Sequence, residues 1–141
     1  MKFYLELGGV RFRFDSDCDI IVEESFAPFF RTCADVTDVN IKLRHSFSDA
    51  PLPQSPMVGE DLLMEYYDHG GRILCLAKGG EGRFLSSCLC APDLREMTCW
   101  LNFPAGSGVD TLGNILRMIP MRRIMTEHRV LFFHASQIGL G

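Results

Sequence analysis

The strongest constraint in this sequence lies in residues 1–14, where two alternating runs flank a pair of glycines. Phe3, Leu5 and Leu7 alternate with Tyr4 and Glu6, and Val10, Phe12 and Phe14 alternate with Arg11 and Arg13. Successive strand side chains point to opposite faces, so each run buries one face and wets the other. Gly8-Gly9 supplies the two positive-φ positions of a tight hairpin turn. Counting outward from that turn pairs Leu7 with Val10, Leu5 with Phe12 and Phe3 with Phe14 on one face. Glu6 then faces Arg11 on the other, a favourable cross-strand pair.

The same signals recur downstream. Residues 36–45 alternate, with Val39, Ile41 and Leu43 on one face and Asn40, Lys42 and Arg44 on the other. From residue 60 the chain reads as a meander, with strands near 62–68, 72–77, 83–90 and 96–103 and glycine-bearing turns at 69–71 and 78–82. A short strand is expected at 20–22, and Trp100 is expected in the core. The polar stretch 15–19, with Asp15, Asp17 and Asp19, lacks the glycine and distant Glu of a calcium loop and reads as a turn. Residues 46–59 carry Pro51, Pro53 and Pro56 without periodicity. They read as a surface loop, an inert connection before a recognition lid.

A helical pattern follows over 109–119. Leu112, Ile115, Leu116 and Ile119 fall at i, i+3, i+4 and i+7, one face of a helix. Ser107 is the expected N-cap, and Asp110 favours the positive end of the helix dipole. Pro120 removes an amide donor and should kink or restart the helix, with Met121, Ile124, Met125 and His128 keeping the spacing beyond it. Residues 130–133 then read as a short buried strand. The fold class expected is α+β: a mostly antiparallel sheet of hairpin plus meander, open or folded into a sandwich, with one C-terminal helix and a short strand. Residues 1–104 form the β-rich region and 105–141 the helix and strand, together one compact unit.

With 141 residues, 47% of them hydrophobic and 23% charged, the chain has enough apolar surface for one packed core. Its net charge of −4 argues against nucleic acid, and Arg117, Arg122, Arg123 and Arg129 read as a solvated helix face before an anion site. No apolar run approaches the roughly 20 residues of a membrane span, and residues 1–9 do not resemble a signal peptide. The six cysteines therefore read as reduced thiols of a cytoplasmic protein. Cys88 and Cys90 can share one face of a strand, but no second ligand pair at metal spacing accompanies them.

The tail carries a family resemblance. A helix followed by Arg129, Val130, Leu131, Phe132, Phe133, His134, Ala135 and Ser136, then a glycine-containing turn, is similar to the lead-in to the nucleotide-binding core of kinases related to HPr kinase and phosphoenolpyruvate carboxykinase. In that family a further strand delivers the P-loop, G-x-x-x-x-G-K-[ST], a motif that does not occur in these 141 residues. The resemblance implies the N-terminal portion of an ATP-dependent phosphotransferase acting on a Ser hydroxyl of a peptide or small protein. It implies His134 at the active site, with His-Ala standing where His-Gly is usual. ATP and Mg²⁺ are expected only if the chain continues; within these residues no cofactor or metal ligand is assigned, and the isolated chain is expected to be inactive.

Read from the residues alone, His134 is a structural histidine at a strand end before it is a catalytic one; the resemblance brings the two readings level. The loop 104–108 lacks the P-loop Lys and Ser/Thr, and the turn 78–82 is followed by a strand rather than a helix, so both are connections first and phosphate loops second. The competing reading is a non-catalytic β-rich module that binds a protein or peptide. Self-association through the uncovered edge of 130–133 would favour the kinase portion.

Overall fold

The computed structural model describes residues 1–32 and 36–128, so the run 130–133 and His134 lie outside the described residues. The first hairpin forms as its alternation requires. β1 (Lys2–Leu7) and β2 (Val10–Ser16) pair antiparallel, with Leu7 opposite Val10, Leu5 opposite Phe12, Phe3 opposite Phe14 and Glu6 opposite Arg11. Gly8 and Gly9 take φ of 57° and 81°, the left-handed values that a two-residue hairpin turn needs. A two-residue strand β3 (Phe30–Arg31) adds to the outer edge of β1. It carries Phe30 onto Phe3, which stacks in turn on Phe14 at 4.9 Å between centroids.

β4 (Val39–Arg44) buries Val39, Ile41 and Leu43 as expected, but it lies parallel to β2. The connection 17–38 is long enough for such a crossover, which a tight turn could not make. The second half is the expected meander of β6 (Met64–His69), β7 (Arg72–Lys78), β8 (Phe84–Cys90) and β9 (Glu96–Leu101), preceded by an unexpected β5 (Met57–Glu60), and all five follow one another antiparallel. β9 then pairs parallel with β4, joining the halves. Among the described residues nine strands form one sheet in the order β3-β1-β2-β4-β9-β8-β7-β6-β5, mostly antiparallel. No second sheet, and hence no sandwich, forms among the described residues.

Several local expectations change. Residues 20–22 make one parallel bridge, Ile21 to Thr111, rather than a strand. The proline loop 46–56 gives way to β5 at Met57, directly after Pro56. That loop lies against the sheet's second face, where Ser87 Oγ donates to the Pro51 carbonyl at 2.8 Å beside Tyr67, Leu74 and Leu76. Trp100 is on the same side of β9 as the half-buried Thr98, opposite the buried Met97, Cys99 and Leu101, so it is not part of the main core.

The helical segment is two short helices rather than one. α1 (Leu112–Arg117) is capped by Thr111, whose Oγ1 accepts from Asn114 N at 3.4 Å, so Ser107 is not the N-cap. The bridge to Ile21 fixes Thr111 in extended backbone, which is what a cap position requires. Pro120 ends the first helix and opens α2 (Met121–Glu127), as its missing donor predicts. Leu112, Ile115, Ile119 and Ile124 are each at most 2% exposed against the main core face. Each such side chain contributes about 1.5–3 kcal/mol relative to exposure.

The helix break leaves the Met118 carbonyl without a regular helical donor. Ser86 Oγ donates to it at 2.5 Å and Cys88 Sγ at 3.3 Å, both from the buried face of β8. Ser86→Ala removes the stronger donor from a fully buried acceptor. Urea unfolding should show a loss of about 1–3 kcal/mol, whereas Ser87→Ala, on the other face, should cost less.

A second polar device joins β5 to β6. Asp61 accepts from the amides of Leu63 and Met64, each at 2.9 Å, and from Tyr66 Oη at 2.6 Å. Burial opposes ionisation of Asp61, but these donors and the nearby Arg122 charge outweigh it and hold the carboxyl below its ordinary value of 3.8. A depressed folded value gives stability that is present above 3.8 and is lost as pH falls through the folded value. Asp61→Asn should therefore show a smaller drop in urea midpoint between neutral and strongly acid pH than the unaltered chain.

Candidate functional site

Parallel pairing places the C-terminal ends of β2 and β4 side by side, with Ser16 opposite Leu43 and Asp17 N donating to the Leu43 carbonyl at 3.2 Å. The residues just beyond the two strands consequently meet. His45 N donates to Asp17 Oδ2 at 3.1 Å, and His45 Nδ1 lies 2.7 Å from Asp17 Oδ1. With a carboxylate as its neighbour, Nδ1 carries the proton and donates, which in the neutral ring leaves the lone pair on Nε2. The His45 side chain is only 4% exposed, packed edge-on to Phe103, and its Nε2 is buried with no hydrogen-bond partner among the described residues.

Cys18 adjoins this pair. One potential donor atom from each of Asp17, Cys18 and His45 lies within 4.8 Å of the others. The bend that presents Cys18 is set by Ser16, whose Oγ donates to the Cys18 carbonyl at 2.6 Å. Burial raises the Cys18 thiol above its ordinary range, and the negative charges of Asp17, Asp19 and Asp110 raise it further.

Asp110 enters from the loop before α1. It is 3% exposed; its carbonyl accepts from Ile21 N at 3.0 Å and its Oδ2 from Gly106 N at 3.0 Å, while Oδ1 is buried without a partner. The Gly106 amide is the main cause that holds this carboxyl below the ordinary range, and the His45 charge adds to the effect. Asp110 is thus a buried loop anchor rather than a helix-dipole residue. It also takes the amide that an anion at 104–108 would have used.

The sequence assigns none of Asp17, Cys18, His45 and Asp110 to a site: it places Asp17 in a turn and Asp110 at a helix dipole. The usable signal was the length of 17–38, which permits a parallel crossover and hence a meeting of the two strand ends. The other sequence candidates are placed as follows. His134 lies outside the described residues. Cys88 and Cys90 do share the core face, beside Cys75 and Cys99, and burial raises the Cys88 and Cys99 thiols as expected of small hydrophobes. Lys78 in the 78–82 turn is held by Glu60 at 2.6 Å and the Asp61 carbonyl at 2.8 Å. Arg117, Arg122 and Arg123 are exposed, Arg123 lying 4.7 Å over the Tyr66 ring. His69 sits at a hairpin turn, and His128 Nδ1 lies 2.9 Å from the Ile124 carbonyl at the end of α2.

A shallow groove on the polar face of the sheet is lined by Arg13, Asp15, Asn40, Lys42 and Glu96. Its two cations are matched by two carboxylates, so it favours neither anion nor cation. No helix of the described residues is long and apolar enough to cross a membrane. Comparison with protein-family models, with curated proteins and with solved structures found no match.

Proposed function

We propose that this chain is the β-rich N-terminal portion of an ATP-dependent, HPr-kinase-like phosphotransferase that acts on a Ser hydroxyl of a peptide or protein. The observation that supports the reading is the position of α2. It is docked on the sheet through Ile124 and Met125, each at most 4% exposed, and its C-cap His128 leads directly into the 129–136 run that resembles the kinase lead-in. A helix seated on a broad sheet would hold the following strand in a fixed place, which phosphoryl transfer requires of its positioning groups. The free thiols Cys75, Cys88, Cys90 and Cys99 accord with a reducing compartment, and we place the protein in the cytoplasm.

The test begins with the gene. A strand and G-x-x-x-x-G-K-[ST] should follow the codon for Gly141 within about twenty residues. The protein so encoded should transfer phosphate from ATP to a peptide Ser, while residues 1–141 alone should bind no ATP at micromolar concentration. A stop codon at that point and an inactive product would defeat the reading. In the extended protein, unchanged transfer by His134→Ala would remove His134 from the active site.

One observation favours the second reading, a non-catalytic module for an extended peptide. Among the described residues β5 is the last strand of the sheet, and Met57, Val58, Leu62 and Leu63 at this edge are 44–86% exposed. An open apolar edge suits strand addition. Peptide binding by residues 1–141 that Val58→Lys abolishes, together with the stop codon, would establish it.

A further inference from the structure

The end of the sheet at which β2 and β4 finish gathers several carboxylates about one thiol and one imidazole. Asp17, Asp19 and Asp110 all act on the Cys18 thiol, and the Met1 and Arg44 cations at this end bond backbone carbonyls rather than these carboxylates. The Met1 ammonium donates to the Ser16 carbonyl at 2.8 Å. The Arg44 guanidinium donates to the carbonyls of Asp15 and Leu43 at 3.1 and 2.8 Å. Two buried polar atoms, His45 Nε2 and Asp110 Oδ1, have no partner among the described residues. An unpaired buried carboxylate oxygen costs free energy that nearby positive charge lowers, and His45 Nε2, on the ring edge away from Asp17, is free to carry the ring proton when Nδ1 meets a cation.

We propose that Asp17, Cys18 and His45 form a Zn²⁺ site, one donor atom from each, with Asp110 supplying further negative charge and water filling the remaining position. The proposal stands independently of the phosphotransferase reading. Its geometric basis is the mutual approach of the three donor atoms within 4.8 Å, from two chain segments fixed by the β2–β4 pairing. Imidazole nitrogen, sulfur and carboxylate oxygen together suit Zn²⁺; Ca²⁺ and Mg²⁺ take oxygen ligands throughout. The exposed Asp17 and half-buried Cys18 give the ion a way in, while the buried His45 fixes the floor. On binding, the Cys18 S–H bond breaks, sulfur keeps the electron pair and donates it to the metal, and that proton leaves to solvent; the His45 ring gives up its Nδ1 proton and takes one at Nε2, so it ligates through Nδ1 as neutral imidazole. A nearby divalent cation reverses the influences that otherwise keep the thiol protonated.

The experiment uses residues 1–141, stripped with a chelator, shown folded by circular dichroism, and titrated with Co²⁺ and then Zn²⁺. The expected result is one ion per chain, visible absorption of tetrahedral Co²⁺, a thiolate-to-cobalt charge-transfer band in the near ultraviolet, and displacement by Zn²⁺. Cys18→Ser should abolish that band, and Cys18→Ser and His45→Gln should each weaken Zn²⁺ at least about tenfold. Asp19→Asn, an exposed neighbour, should change affinity much less. Failure of the folded chain to bind Co²⁺ one to one, a spectrum without the thiolate band, or a band that survives Cys18→Ser would overturn the site. If His45→Gln does not fold, the unaltered chain and Cys18→Ser decide between these outcomes.

Discussion

Phe12→Ala is expected to destabilise this protein by about 3–5 kcal/mol, the usual cost of truncating a buried aromatic. Phe12 is 0% exposed in the middle of β2, opposite Leu5 on one side and Val39 on the other, with its ring 6.1 Å from that of Phe14. The residue therefore binds the N-terminal hairpin to the strand that connects it to the rest of the sheet. Since domains are stable by only about 5–15 kcal/mol, the variant should unfold at a much lower urea concentration or not fold at all. Phe12→Leu should recover most of the loss. A midpoint for Phe12→Ala close to that of the unaltered chain would mean that the hairpin is not packed as described.

Ile124→Asp should act on a smaller part of the molecule with a comparable penalty. The side chain is 0% exposed beneath α2, and a carboxylate there would be buried without a donor. Such a group costs several kcal/mol unless the helix lifts away from the sheet. Lifting is the cheaper response, because α2 is a seven-residue helix whose buried contacts rest on Ile124 and Met125, whereas the strands are held by their own ladders. Hydrogen exchange should accelerate across Met121–Glu127 while the amides of β7 and β8 stay protected. Uniform acceleration throughout the chain would show that the helix and sheet unfold as one unit. In the phosphotransferase reading, the same variant should impair transfer without altering the β-rich region.

What was legible in the sequence was local. The Gly8-Gly9 hairpin, its register and the later meander follow from alternation and turn chemistry, which act over a few residues. The break at Pro120 follows from one missing amide donor. Thr111 displaced Ser107 as the cap because a contact with Ile21, far away in sequence, holds it extended. β5 was hidden by the three prolines before it. Trp100 was misplaced although its parity along β9 shows it facing away from Met97 and Cys99. The cluster of Asp17, Cys18 and His45 could not be read from spacing, since residues 18 and 45 become neighbours only through the parallel pairing of β2 with β4.

That parallel arrangement also bears on the order in which the protein is made. β4 needs β9 on its free side, with Asn40 opposite Glu96, yet β9 leaves the ribosome only after the four strands and turns between them. Until then the nascent chain carries β4 with an open edge and an apolar face, the kind of surface to which chaperones attach. The meander β6–β9 can assemble from neighbours alone, whereas β4–β9 pairing closes a long loop and so should limit the folding rate. Growth of the chain from the N-terminus thus produces the dependent half of the sheet first and its support last.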